Sequence, residues 1–197
     1  QDYDWRTDEV ESVRNQLERF WNRATELVEG SGSTFDGETP ELEHVDRWLL
    51  SKLQGTVRDV TEALENAETR TASQAAFYGF EESLRWYRRR TDRDRPGARW
   101  TLRHALETRL RLLAPFVPFL ANELHESLTG TPAEDAPWPE VDPELERPAI
   151  EVRERLIERL TADVNDIVDV TGTDPDLIRV YVAADWKRRA FDAVREA

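Results

Sequence analysis

The sequence predicts a mainly α protein: an antiparallel helical bundle followed by a small, truncated α/β unit. Three observations carry this prediction. Apolar residues recur at spacings of three and four through most of the chain, which is typical of amphipathic helices. Helix-ending residues punctuate the pattern at Gly30, Pro96-Gly97 and Pro115. Asp176–Ala183 (DLIRVYVA) is the one segment whose pattern indicates a β-strand.

The first two helices are separated by a loop of flexible composition. The first helix is predicted from about Asp8 to Glu29, and Gly30 is a natural stop. Gly30–Pro40 forms the loop, and the second helix is predicted to begin near Pro40 with Thr39 as its N-cap. The apolar stripes of the two helices are Val10, Val13, Leu17, Phe20, Trp21, Ala24 and Leu27, and Val45, Trp48, Leu49, Leu53, Val57, Val60 and Leu64.

Two further helices complete the predicted bundle. The third is expected to open with the capping-box pattern Thr71–Gln74 and to end before Pro96-Gly97. The fourth carries a leucine stripe and is interrupted at Pro115 and Pro118, after which a helical segment continues to about Leu128. The core-facing residues are Phe77, Phe80, Leu84 and Tyr87, then Leu102, Leu106, Leu110 and Leu113.

The pattern changes after the bundle. We assign residues 1–130 to the bundle, 131–148 to a proline-rich acidic connector, and 149–197 to a partial C-terminal α/β unit. In that unit, Ile150–Val170 is an amphipathic helix and Asp185–Glu196 a short one. Because one strand cannot form a sheet alone, this unit is predicted to be truncated.

The charge composition is unusual. The chain has 197 residues and a net charge of −14, with 41 acidic residues against 27 basic ones. Only Lys52 and Lys187 are lysines. In molar salt the Debye length is about 3 Å and self-repulsion is largely screened. We therefore expect a halophilic source, in which acidic net charge does not exclude RNA as a partner.

Several classes of function lack support in the sequence. With no Cys, disulfides and Cys-ligated zinc are excluded, and the absence of Met predicts a fragment or a processed product. No apolar run or signal-peptide pattern is found, so we expect a cytoplasmic protein without a membrane partner. His44, His104 and His125 are scattered, and no nucleophile motif is present. The sequence therefore predicts no catalytic and no metal-binding residues.

A basic segment stands out against this acidic background. From Arg85 to Arg111, hereafter the arginine segment, ten arginines face only three acidic residues, a local net charge of +7. Arginines interleaved with Trp86 and Trp100 suit phosphate contacts and base stacking. They could instead pair internally, with Asp92 and Asp94 for example. Trp86 is open to both interpretations, and its helical position favours burial against another helix.

Several motifs resemble, in order, the region after the catalytic core of class I aminoacyl-tRNA synthetases. The resemblance is strongest to leucyl-tRNA synthetases of the archaeal and eukaryotic-cytosolic type. The motifs include Asp46–Leu53 (DRWLLSKL), Leu84–Arg90 (LRWYRRR) and Leu113–His125 (LAPFVPFLANELH). In the last motif the family usually has His where this chain has Phe119. The family's two ATP-site motifs are missing and are expected upstream of Gln1.

The resemblance implies a helical anticodon-binding domain that orients tRNA(Leu) for ATP-dependent leucylation by a catalytic core outside this chain. It implies ATP and Mg²⁺ in that core and no cofactor in this segment. We also expect a monomer. Leucyl enzymes of this family generally do not read the anticodon. If the basic segments face the tRNA, the candidate tRNA-binding residues are Trp86, Arg89, Arg90, Arg93, Arg95, Arg99, Lys187 and Arg188.

Two alternatives stay open at this point. The chain could be the same domain of an isoleucyl- or valyl-tRNA synthetase, whose bundle reads anticodon bases. It could also be a helical protein-interaction module whose arginines pair internally.

Overall fold

A computed structural model describes residues 7–30, 39–173, 175–182, 184, 186, 187 and 189. These residues form seven α-helices, one π-helical turn and one 3₁₀ turn, and none of them is in a strand. The α-helices are α1 (Thr7–Gly30), α2 (His44–Glu65), α3 (Thr69–Gln74), α4 (Glu81–Arg90), α5 (Pro96–Leu113), α6 (Pro118–Thr129) and α7 (Pro148–Thr171). The π-helical turn (Ala75–Gly79) joins α3 to α4, and the 3₁₀ turn is Ala133–Asp135. The mainly helical fold class is confirmed.

Contacts divide the chain into two units, Gln1–Arg155 and Leu156–Ala197, so the division falls inside α7. The first unit holds the helical bundle, which is built around two apolar clusters. One cluster joins α1, the second half of α2, the second half of α5, and α6. The other joins the first half of α2 with α4 and the first half of α5. Helices α2 and α5 belong to both clusters and therefore form the centre of the bundle.

Proline and glycine residues set the starts of α5 and α6. Pro96 is the first residue of α5 and Pro118 the first of α6, where a missing backbone N–H costs nothing. The predicted interruptions at Pro96-Gly97 and between Pro115 and Pro118 are confirmed. Gly97 is required by a close approach, because a Cβ there would lie 2.5 Å from the backbone oxygen of Glu41.

Two predicted helix starts are wrong. Helix α2 begins at His44 rather than near Pro40, because the Glu43 backbone N–H donates to Asp46 Oδ2 (2.7 Å) and closes a capping box there. The predicted capping box at Thr71–Gln74 does not form. Helix α3 already begins at Thr69, with Glu68 as its N-cap residue.

The connector of residues 131–148 packs along α2. The Trp138 indole N–H donates to Thr61 Oγ1 (2.9 Å). The backbone N–H of Asp142 donates to Gln54 Oε1 (2.8 Å). Farther along, the backbone N–H of Arg147 donates to Ser51 Oγ (2.8 Å). These bonds fix where α7 begins.

The predicted C-terminal α/β unit is wrong in its β part. The helix expected over Ile150–Val170 is present as α7. Residues 175–182, which carry most of the predicted strand, are irregular. A strand needs a hydrogen-bonding neighbour, and the described residues offer none. Trp186 and Lys187 are helical, but most of the helix predicted for Asp185–Glu196 lies outside the described residues. The domain boundaries read from the sequence stay predictions.

Candidate nucleic-acid interface

The arginine segment covers the second half of α4, the turn of residues 91–95 and most of α5. It starts on α4, whose last turn is Arg88–Arg90, and cations there are favoured by the partial negative charge of a helix C-terminus. The chain leaves α4 at Thr91, which is extended (φ −118°, ψ 145°). It enters α5 at Pro96, and the rest of the segment lies on α5. The arginines of this segment fall into two groups with different surroundings.

Arg95 belongs to a buried network centred on Asp46. The Asp46 side chain is 0% exposed and lies 3.1 Å from Arg95 Nη2 through each carboxylate oxygen. The Tyr87 hydroxyl donates to the same carboxylate (2.5 Å). Burial, reinforced by the hydrogen bond to Asp46, raises the pKa of Tyr87. Arg95 therefore locks the turn against α2 and has its guanidinium turned inward.

Arg90 and Trp86 belong to a second network centred on Glu154 of α7. The Glu154 side chain is 1% exposed and forms a salt bridge with Arg90. The Trp86 indole N–H donates to Glu154 Oε1 (2.7 Å), and the Arg90 guanidinium lies 5.6 Å from the centre of the Trp86 ring system. His44 Nε2 is 3.3 Å from the other carboxylate oxygen. Trp86 is half-buried against the second cluster, so the helix it meets is α7.

Three arginines of α5 also bond inside the bundle. Arg109 is 3% exposed, donates to the Phe77 backbone oxygen (3.1 Å), and lies 3.4 Å from Glu81 Oε2. Its guanidinium stands over the rings of Phe20 and Phe80 at 5.2 and 5.6 Å. Burial lowers the pKa of Arg109 to about 10, still above neutral pH. Arg103 and Arg111 donate to the backbone oxygens of Leu128 (2.6 Å) and Pro137 (3.4 Å).

The second group has no such partners. Arg85, Arg89 and Arg93 are exposed, and within the described part of the chain their side chains make no hydrogen bond or ion pair. Arg88 is half-buried and likewise has none among the described residues. Arg99 meets Asp94 at 3.4 Å, but both side chains are exposed, and such a surface pair contributes little.

The structure thus separates the sequence-predicted site residues. Arg89, Arg93 and Arg99 keep exposed guanidinium groups at the α4–α5 turn. Arg90, Arg95 and Trp86 bond to the two buried acids, Glu154 and Asp46. In the second unit, Lys187 is exposed with its ammonium 5.6 Å from the Trp186 ring. Arg188 lies outside the described residues.

Sequence reasoning missed the two buried acids that organise the segment. Asp46 lies beside Val45 and three residues before Leu49, so it falls within the apolar stripe of α2. Glu154 lies four residues after Ile150 and three before Ile157, on the stripe of α7. The available signal was a charged residue on the apolar stripe of a helix. Such a residue becomes buried when the helix packs, and a buried charge needs a partner of opposite charge.

The described residues contain no group of three or more His, Cys, Asp or Glu side chains placed to hold a metal ion. None of the described helices has the length and apolar character needed to span a bilayer.

The family model "Anticodon-binding domain of tRNA ligase" matches residues 46–177, which include the whole arginine segment. The chain belongs to this family of anticodon-binding domains. Residues 46–177 begin at the buried Asp46 and extend past α7.

Two curated relatives of the chain share one name. The chain is 38% identical to a leucine–tRNA ligase of Pyrococcus abyssi, over 99% of this chain and 20% of that protein. It is 39% identical to a leucine–tRNA ligase of Methanothrix thermoacetophila, over 95% of this chain and 19% of that protein. The chain thus spans about a fifth of the length of these relatives. The resemblance to this region of leucyl-tRNA synthetases is confirmed.

A solved structure shares the fold. It is a leucyl-tRNA synthetase of Agrobacterium radiobacter K84, crystallised in a ternary complex with tRNA and LeuAMS. The match has a TM-score of 0.56 and 20% sequence identity, and covers 74% of this chain and 18% of that one. At this identity the match supports the helical architecture alone.

Proposed function

We propose that this chain is the tRNA-binding helical domain of a leucine–tRNA ligase, which docks and orients tRNA(Leu) for ATP-dependent leucylation by a catalytic core outside the chain. The observation that carries the proposal is the similarity of 99% of the chain to one continuous part of an archaeal leucine–tRNA ligase. ATP and Mg²⁺ would act in that core. The parent would be a cytoplasmic monomer without a membrane partner.

The exposed arginines supply the chemistry for such docking. Arg89, Arg93 and Arg99 present planar guanidinium groups that can bond two phosphate oxygens at once. Phosphate contacts position a nucleic acid without reading its sequence. We therefore assign these residues to the sugar-phosphate backbone of tRNA(Leu), with Lys187 and Arg188 as further contacts. Trp86, Arg90 and Arg95 contribute by holding the turn in place.

The leucyl assignment can be tested by changing the anticodon. We expect the 197-residue chain to bind a tRNA(Leu) transcript, and full replacement of its anticodon to alter the affinity less than about twofold, because phosphate and shape contacts ignore base identity. Filter binding of the two transcripts measures this. An anticodon change that weakens binding more than about tenfold would favour an isoleucyl- or valyl-type domain that reads bases.

A second experiment uses the complete ligase. Arg89→Ala combined with Arg93→Ala should lower the rate of tRNA(Leu) leucylation and leave ATP-dependent leucine activation unchanged, because activation needs no tRNA contact. Unchanged leucylation would remove these two arginines from the interface. An equal loss of both activities would indicate damage to the fold.

A further inference from the structure

A cleft of about 610 Å³ lies between α1, the C-terminal end of α4 and the N-terminal part of α5. The sequence patterns gave no indication of it, because its two sides are about sixty residues apart in the chain. Its lining includes four arginines from all three helices and the turn, together with three acidic residues: Arg23, Arg88, Arg93 and Arg99, and Glu26, Asp92 and Asp94.

Most of the charged groups in this cleft already have partners. Arg23 bonds Glu81 (2.5 Å), and Arg99 bonds Asp94 (3.4 Å). Asp92 Oδ1 accepts the backbone N–H of Asp94 (3.0 Å), which shapes the turn. Arg88 and Arg93 are the two lining arginines without an ion pair among the described residues.

Arg88 is an unusual group to leave without a partner. It is half-buried, and burial lowers its pKa. Glu81 opposes this effect, but Glu81 is already bonded to Arg23 and Arg109. The charges of Arg23 and Arg93 lower the pKa of Arg88 further, and both effects exceed the opposing one of Glu26. A partly desolvated cation near other cations gains strongly from an incoming anion.

The size and lining of the cleft indicate the class of anion. A volume of about 610 Å³ is far more than one inorganic phosphate fills and is within the usual range of ligand-binding clefts. The cleft also opens beside the exposed α4–α5 turn, which carries Arg93, and beside Arg99 in the first turn of α5. A phosphate within a continuous RNA backbone can enter such a cleft while its neighbours stay on the surface.

We propose that this cleft is a phosphate subsite for RNA, in which the guanidinium groups of Arg88 and Arg93 clamp one backbone phosphodiester. The proposal rests on the proposed function and adds two things to it. It adds Arg88, which the sequence did not single out, and it places α1 at the interface through Arg23. Arg93 is then one of the two arginines that bind the phosphodiester.

The test compares three single variants of the 197-residue chain. Arg88→Gln and Arg93→Gln each remove one of the two guanidinium groups that bind the phosphate. Arg85→Gln is the matched control, because Arg85 is on the same helix, is exposed and does not line the cleft. Fluorescence anisotropy with labelled tRNA(Leu) over a KCl series gives both affinity and salt dependence. Circular dichroism melts check each fold. If Arg88→Gln misfolds, Arg88→Lys replaces it, because lysine keeps the positive charge but lacks the planar guanidinium that bonds two phosphate oxygens.

We expect each cleft variant to bind tRNA(Leu) about tenfold more weakly than the control variant. The slope of log affinity against log salt should become shallower by about 0.7 to 0.9, as for the loss of one phosphate contact. If both cleft variants bind like Arg85→Gln while the wild type binds tRNA(Leu), the clamp is wrong and the proposed function stands. A wild-type chain that does not bind tRNA(Leu) overturns the proposed function itself.

A parallel titration with inorganic phosphate separates the two sources of the anion. At constant ionic strength, phosphate should raise the melting temperature of the wild type less than tRNA(Leu) does, and should have no effect on Arg88→Gln. If phosphate stabilises the wild type and neither cleft variant loses tRNA affinity, the cleft binds free anions and the RNA assignment is overturned.

Discussion

Arg95 and Arg93 lie two residues apart in one turn, yet they have opposite surroundings. Arg95 reaches inward to Asp46, whose side chain is 0% exposed, whereas Arg93 is exposed and has no ion pair among the described residues. The same contrast separates Arg90 from Arg89. Sequence proximity and identical chemistry therefore do not assign a role. The role depends on whether a facing helix places a buried acid within reach.

Each buried acid pairs with an arginine of the arginine segment and so fixes part of that segment against the bundle. Asp46 holds the α4–α5 turn from α2, and Glu154 holds the end of α4 from α7. The arginines that these acids leave exposed can then present their guanidinium groups from a fixed backbone. The arginines paired with these acids would thus support the proposed interface indirectly, by restricting the turn beside which the exposed arginines lie.

The largest expected effect is on the Asp46 network. Asp46→Ala leaves Arg95 and Tyr87 without their buried partner, and loss of one partner of a buried pair costs about 3–5 kcal/mol. Urea unfolding should show this loss of stability. Asp59→Ala, an exposed acid on the same helix, should stay within about 0.5 kcal/mol of the wild type. Equal effects of the two substitutions would mean that the Asp46 pair does not hold the turn.

Glu154→Ala should have a smaller effect, of about 2–3 kcal/mol. The buried carboxylate accepts from Trp86 and pairs with Arg90, but the Arg90 side chain is 30% exposed and can turn to water. The matched control is Glu158→Ala on the exposed part of α7. Tryptophan fluorescence during urea unfolding measures both variants. A Glu154→Ala protein as stable as the control would contradict the second network.

Gly97→Ala tests how tightly the turn is packed. Its Cβ would lie 2.5 Å from the Glu41 backbone oxygen and 3.3 Å from both Arg95 Nη1 and Asp46 Oδ2. Backbone must move to admit it, so we expect a loss of about 1–3 kcal/mol. By contrast, Gly55→Ala on α2 meets nothing within 4 Å and should be neutral or slightly stabilising. Thermal melts of the two variants decide between these outcomes.

Salt should have opposite effects on tRNA binding and on the stability of the fold. Molar KCl screens exposed charges strongly and buried pairs weakly. We expect it to weaken tRNA binding by the exposed arginines while raising the melting temperature, because 41 acidic residues repel one another in dilute buffer. Thermal melts and fluorescence anisotropy with labelled tRNA(Leu), each at about 0.1 M and about 1 M KCl, would test both expectations. A melting temperature that falls in KCl would contradict the salt-adapted surface that we propose.

Much of the helical fold followed from local patterns, whereas the division of the arginines did not. The stripes of α1, α5 and α7, and the proline breaks, depend on spacing within one segment. The Arg95–Asp46 pair joins residues 49 positions apart and the Arg90–Glu154 pair residues 64 apart, so each depends on how helices pack. The strand predicted over Asp176–Ala183 is absent from residues 176–182, the described part of that range, for a related reason. A strand depends on a neighbour, and local pattern cannot supply one.

The central claim is that the exposed arginines bind tRNA and do not stabilise the fold. The most direct measurement is the affinity of Arg89→Gln/Arg93→Gln for tRNA(Leu), with the free energy of unfolding determined on the same sample. We expect an affinity about 30- to 100-fold lower, from the loss of two charge-assisted contacts, and an unfolding free energy within about 1 kcal/mol of the wild type. Unchanged affinity, or a loss of stability comparable to that of Asp46→Ala, would contradict it.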